Sequence, residues 1–216
     1  MVSQNSLKKE KKKLIEGLKI EGFLKNKKVE RAMLSVPREE FVLERERPYA
    51  YADTPQGIGF GQTISAPHMV AIMTELLDLK PKDKVLEVGG GSGYQAAVLA
   101  KLAKKVYSIE LEQGLVDFAA ANLKKARIKN VEVRQGDGSA GWKEHAPYDK
   151  IVVTCACSQV PKALFGQLKS SGVLVAPVGG SWQQDLMLYR KLVGKKGKTG
   201  LEEKGYGGCV FVPLRH

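Results

Sequence analysis

From residue 84 onward, short apolar runs alternate with segments whose apolar residues recur every three or four positions. Short runs bounded by polar or glycine-rich stretches read as buried strands, and the longer spacing reads as helix. KVLEV (84–88) precedes a helix at 93–103, KVYSIE (105–110) one at 112–126, and NVEVRQ (130–135) a glycine-containing loop. YDKIVVT (148–154) precedes a short helix at 160–168, GVLVAPV (172–178) ends at Gly179–Gly180, and strands are predicted near 184–192 and 208–214. Apolar strands alternating with helices predict a parallel sheet covered on both faces. The last two strands, separated by RKLVGKKGKTGLEEKG with Gly194, Gly197 and Gly200 as punctuation, predict an antiparallel hairpin at one edge. The expected fold is a doubly wound, Rossmann-like α/β sheet, mostly parallel, behind an N-terminal helical extension.

The N-terminal part reads differently. Residues 8–47 look helical, broken near Gly22 and Pro37, with Leu7, Leu14, Ile15, Leu18 and Phe23 on one face. Residues 48–65 are rich in Gly, Pro and small polar residues and predict an ordered loop or short strand. Residues 66–79 return to helical spacing through Met69, Ile72, Met73, Leu76 and Leu77. The expected division is an extension and substrate-loop region at 1–65 and a cofactor-binding core at 66–216.

Composition narrows the class. The chain has 216 residues, 43% hydrophobic and 27% charged, as in an ordinary globular protein. No apolar run approaches the ~20 residues of a spanning helix, and the polar, Lys-rich start lacks the apolar segment of a secretory signal. Three cysteines supply no disulfide framework, and Cys155, Cys157 and Cys209 lack zinc-ligand spacing. A cytoplasmic monomer is expected.

The formal net charge of +12 raises nucleic acid as a partner. Its distribution argues against that. Residues 1–31 carry ten Lys or Arg and four Glu, and residues 190–204 carry six Lys or Arg and two Glu. The remainder is close to neutral. The N-terminal lysines read either as the solvated face of a docking helix or as a contact for nucleic acid or another acidic surface.

The strongest local signal is VLEVGGGSGYQAAVLA (85–100), a buried strand running into Gly89, Gly91 and Gly93 and at once into a helix. Such glycines permit positive φ and close approach of a ligand at the carboxyl end of the strand. The dinucleotide fingerprint is not met, because Tyr94 takes the place of its last glycine. Glu87 within the strand favours another nucleotide-like ligand. Glu110 ends the next strand, where a carboxylate can accept both hydroxyls of a ribose, or alternatively cap a helix. Asp137 and Gly138 follow the third strand and suit an adenine amino group, or an Asp-Gly turn. Taken together, these features resemble the S-adenosylmethionine site of class I methyltransferases.

At residues 36–73 the resemblance becomes specific. VPREEFV (36–42) and YAYADTPQGIGFGQTISAPHMVAIM, with its GQTIS-x-P-x-M, resemble the protein-L-isoaspartate O-methyltransferase family, and the downstream segments fit through FVPL (211–214). The resemblance implies methylation of the free α-carboxylate of L-isoaspartyl residues in damaged proteins. The ester then cyclises to a succinimide, and hydrolysis returns some normal aspartate. It implies S-adenosyl-L-methionine as cofactor and S-adenosyl-L-homocysteine as product, with isoaspartyl proteins as partners and neither nucleic acid nor membrane. Ser65 matches the family's active-site serine. Gln62, Thr63, Ile64, His68, Glu87, Gly89, Gly91, Gly93, Glu110, Asp137 and Gly138 match positions that contact cofactor or substrate.

The chemistry agrees. A carboxylate with a pKa of about 4 is already ionised near neutral pH and needs no strong general base. Catalysis then rests on positioning and water exclusion. Ser65, before Ala66-Pro67, is expected to cap the following helix and donate to the substrate carboxylate. His68 reads locally as a surface or capping histidine, and the resemblance makes it a supporting contact. The chain departs from the family's pattern at Gly90, where Thr or Ser is frequent, at CACS (155–158) and at LKSSG (168–172). Two other readings are a nucleic-acid methyltransferase and a non-catalytic binding module. The first lacks both an Asn/Asp-Pro-Pro-aromatic motif and a Pro-Cys nucleophile; the intact glycine loop, Glu110 and Asp137 oppose the second.

Overall fold

A computed structural model of the chain describes residues 3–193 and 199–216. Two helices open it, α1 (Gln4–Ile20) and α2 (Lys27–Ser35). Ser3 caps α1 by accepting from the Ser6 N–H, and Asn26 caps α2 by accepting from the Lys28 N–H. A small antiparallel hairpin, β1 (Gln56–Gly59) and β2 (Gln62–Ile64), precedes α3 (Pro67–Leu77). The core then alternates as expected: β3 (Lys84–Val88), α4 (Tyr94–Ala100), β4 (Lys105–Glu110), α5 (Gln113–Lys125), β5 (Val131–Gln135) and β6 (Tyr148–Val153). It closes with α6 (Lys162–Gln167), β7 (Leu168–Gly179), β8 (Gln184–Val193) and β9 (Thr199–Cys209).

Seven strands form one sheet in the order β5-β4-β3-β6-β7-β8-β9. The first five pair in parallel, and β8 and β9 add antiparallel. Side-chain alternation sorts the core into two layers. Val85, Val106, Val152 and Val173 pack beneath Met73, Leu77, Ala96 and Leu99 of α3 and α4. Leu86, Ile109, Ile151 and Leu174 face the opposite layer, with Trp142, Tyr148 and Leu164.

The chain order reverses between β3 and β6, neighbours in the sheet that lie far apart in sequence. That is where a doubly wound sheet opens a crevice at its carboxyl edge. The N-terminal segment packs into the same body. Leu7, Ile15 and Leu18 of α1 and Val29 and Met33 of α2 share a buried cluster with Phe41, Ile58, Tyr94 and Leu115. Leu14 and Phe23 pack partly buried against it. Part of the lysine face is also tied down: Lys11 donates to the carbonyls of Leu34 and Val36, and Lys19 pairs with Glu16 and Glu30.

The last strand departs from expectation. The sheet's edge is Thr199–Cys209, not 208–214. Its residues 200–208 are exposed, mostly polar or glycine, so no apolar pattern marks it, and pairing with β8 sets its place. Phe211 instead packs half-buried against the core, while Pro213 makes only an isolated bridge with Ala156. The turn expected at Gly194 and Gly197 lies outside the described residues. LKSSG, one of the departures from the family's pattern, runs within β7, where Ser171 takes a φ of 64°.

Candidate active site

The glycine loop is held from below and open above. Gly89, Gly91 and Gly93 have φ of 94°, 52° and 83°, the left-handed region that a side chain disfavours. The N–H groups of Gly89 and Gly90 both donate to the Ile109 carbonyl at 2.9 and 3.1 Å. A Cβ on Gly89 would stand 2.7 Å from Thr154 Oγ1, the hydroxyl that itself donates to the Val88 and Gly89 carbonyls. Gly93 starts α4 and packs on α5, where a Cβ would sit 3.2 Å from Ala119 Cβ. Gly90 has a local reason to depart from the family's Thr or Ser, since its Cβ would meet Ser108 Oγ at 2.5 Å.

The three acidic residues divide. Glu110 is buried at the end of β4 and lines the cleft. One of its oxygens accepts from the Gly91 N–H, and the other from the N–H groups of Leu111 and Glu112. It thus fixes the loop and the start of α5 while presenting a carboxylate edge to the cleft. Glu87 lies beneath the loop, fully buried, accepting from Ser108 Oγ. Burial pushes its carboxyl up to about 8, which favours the protonated form near neutral pH. Asp137 is exposed and forms a turn by accepting from the Ser139 N–H, with His216 Nδ1 3.4 Å away. Gly138 beside it is buried and lines the cleft.

The cleft is walled by Gln62, Thr63, Gly89, Gly91, Glu110, Gly138, Thr154 and Cys155, and by Val212–Arg215. A second cavity of about 240 Å³ adjoins it, lined by Ser65, Ala66, His68 and Met69 on one side and Gly208–Val212 on the other. Thr63 and Thr154 line both, and Ile64 lies buried behind them.

Ser65 does not cap the helix, contrary to expectation. The N-cap of α3 is Ala66, which has no side-chain oxygen. Asp53, in the loop before β1, takes over the role: its Oδ1 accepts from the His68 N–H at 2.8 Å and lies 3.0 Å from His68 Nδ1. The result is an ion-pair geometry beside Ser65 that holds the first turn of α3. Pro67 has no N–H, and the His68 N–H is committed to Asp53, while the Ser65 side chain lines the adjoining cavity.

Sequence reasoning gave no role to Thr154 or to the Val212–Arg215 segment, and took Asp53 only as a wall of the peptide groove or part of a turn. Thr154 ends a recognised strand at the switch point, which was a usable signal. Asp53 lies 15 residues from its partner, and no local pattern joins them.

The sequence model of the protein-L-isoaspartate(D-aspartate) O-methyltransferase family matches residues 9–216. The chain belongs to this family. Among relatives named protein-L-isoaspartate O-methyltransferase, one from Pyrococcus horikoshii is 48% identical over 99% of this chain and 96% of its own. Another, from Methanopyrus kandleri, is 50% identical over 94% and 89%. A Plasmodium falciparum chain described as a protein-L-isoaspartate O-methyltransferase, solved with S-adenosyl-L-homocysteine, superposes with a TM-score of 0.80. That chain is 29% identical, and the match covers 95% of this chain and 98% of that one.

Proposed function

We propose that the two joined cavities carry out methyl transfer to the free α-carboxylate of L-isoaspartyl residues in damaged proteins, the first step of repair through a succinimide. The observation that carries this reading is the junction at Thr63 and Thr154, where one cavity walled by the glycine loop meets another lined by Ser65 and His68. The cradle fits the family's cofactor: a Cβ at Gly89 would collide with Thr154, and Gly91 opens onto the cleft. Gly89, Gly91, Glu110 and Gly138 would hold it, with Gln62 and Thr63 closing one side. S-adenosyl-L-methionine supplies the methyl group.

The remaining work falls to the chain's own residues. Ser65 donates to one oxygen of the substrate carboxylate and leaves the other free. Asp53, a carboxylate that would repel the substrate, is turned onto His68 and the helix start. The apolar wall of Met69, Val210 and Phe211 keeps water from the carboxylate. Glu87 and Gly93 support the loop from below. Asp137 shapes the turn that presents Gly138.

Among the described residues no helix is long and apolar enough to cross a membrane. The same reading involves no nucleic-acid partner, since the basic excess falls in residues 1–31 and 190–204, outside the residues that line the two cavities.

Radiolabelled S-adenosylmethionine and paired peptides differing only in Asp or L-isoAsp test the proposal. Base-labile label on the isoAsp peptide alone is expected; equal label on both, or label on RNA or DNA only, defeats it. Ser65→Ala should lower kcat roughly 10- to 100-fold, the cost of a hydrogen bond to a charged group at about 1.5–3 kcal/mol. Affinity for S-adenosyl-L-homocysteine should hold. Unchanged turnover would remove Ser65 from the chemistry.

A further inference from the structure

Arg38 is a fully buried arginine whose guanidinium has no hydrogen-bonded carboxylate among the described residues. Its Nε donates to the Ala50 carbonyl at 2.9 Å and its Nη2 to the Ser65 carbonyl at 2.8 Å. The guanidinium centre lies 4.8 Å from the ring centroid of Tyr94, the first residue of α4 after the glycine loop. Nη1 is buried with no partner. A buried cation that donates to two carbonyls and lies on the Tyr94 ring, with the Asp53 carboxylate favouring its charge only through space, is costly to bury. Burial also works against its charge, although a guanidinium stays protonated.

The flanking residues are anchored too. Glu39 accepts from the Tyr51 hydroxyl, and Lys11 donates to the Val36 carbonyl. The short turn Arg38–Glu40 is therefore a fixed base from which one planar fork reaches two separate segments. Ala50 leads into the stretch bearing Asp53, and Ser65 bears the substrate-side hydroxyl. Arg38 sets the distance between them and, by lying on Tyr94, their distance from the glycine loop.

We propose that Arg38 is the positioning residue for Ser65, fixing the serine's backbone relative to the Asp53 segment and the cofactor loop through its two-carbonyl fork. This rests on the reading of Ser65 as the donor to the substrate carboxylate. A lysine keeps the charge, but a single ammonium lacks the fork's fixed spacing.

The test compares Arg38→Lys, Arg38→Met and Ser65→Ala with wild type, well below each thermal midpoint. It reads steady-state kinetics on an L-isoaspartyl peptide and calorimetric affinity for S-adenosyl-L-homocysteine. Arg38→Lys should lower kcat at least tenfold and raise peptide KM, with homocysteine-product affinity within threefold; Arg38→Met should do the same more strongly. A folded Arg38→Lys with wild-type kcat and KM overturns the proposal, as does loss of product affinity in step with turnover. If neither variant folds, Arg38 is a core residue only and the proposal fails. Ser65→Ala separates the two ideas. If it is impaired while Arg38→Lys is not, only the Arg38 role falls; if it turns over normally, the Ser65 reading falls and takes this one with it.

Discussion

Glu87 shows how one residue can couple the cofactor loop to pH. Its carboxyl lies in the strand under Gly90, where burial raises its pKa and the nearby Glu110 carboxylate adds to the effect, while the Ser108 hydroxyl opposes both. The folded value of about 8 lies above the unfolded value of about 4.3. The native state therefore keeps a proton that the unfolded chain has released throughout that interval. Its contribution to stability is complete below the unfolded pKa, falls as pH rises through the window, and is gone above about 8. Glu87→Gln, neutral at every pH, should flatten this fall. Thermal midpoints between pH 4 and 9 should nearly coincide at the acid end, with the variant the more stable at the alkaline end. A wild-type midpoint that does not decline relative to the variant would mean that Glu87 is ionised in the native protein.

At the scale of elements, α3 depends on a distant side chain. Its N-cap is Ala66, and the capping acceptor is Asp53, delivered by the loop before β1. Asp53→Ala should cost about 1 kcal/mol, the usual value of a lost cap. For a chain of this size that lowers the thermal midpoint by about 2–4 °C. It should also raise KM for an isoaspartyl peptide, because His68 loses its partner beside Ser65. Asp53→Asn keeps an acceptor and should recover most of the stability but not the charge pairing. Equal behaviour of the two variants would show that capping is not what Asp53 does. The elements themselves were largely legible from sequence. β3, β4, β6 and β7 are buried on both faces, so their apolar runs were visible, and the glycine loop is a local motif. Two kinds of feature were not legible. β9 is a mostly polar edge strand placed by pairing. The pairs Asp53–His68, Arg38–Ser65 and Gly89–Thr154 join residues 15 to 65 positions apart, and only the folded sheet brings them together.

At the scale of the whole molecule, the segment after β9 returns from the sheet's far edge to the cofactor cleft. The Ala156 N–H donates to the Val212 carbonyl, and the Leu214 N–H donates back to the Ala156 carbonyl at 2.7 Å. Val212–Arg215 then wall the cleft opposite Glu110 and Leu111. Arg215 crosses to the start of α5 and pairs with Glu112 at 2.9 Å. Both partners are partly exposed, so the pair contributes only about 0–1 kcal/mol to folding. Its larger consequence is for the ligand, because the pair joins the two banks of the cleft. Arg215→Ala should leave the thermal midpoint within about 2 °C. It should weaken S-adenosyl-L-homocysteine binding by roughly two- to fivefold, the same free energy expressed as an affinity. Most of that change should appear in the dissociation rate. An exposed pair is screened by salt, so raising ionic strength should bring wild type toward the variant and leave the variant almost unmoved. Glu112→Ala should reproduce both effects, and the double variant should add nothing to either. Independent, additive losses would show that the two side chains act on the ligand separately and that the cleft is not bridged by their pair.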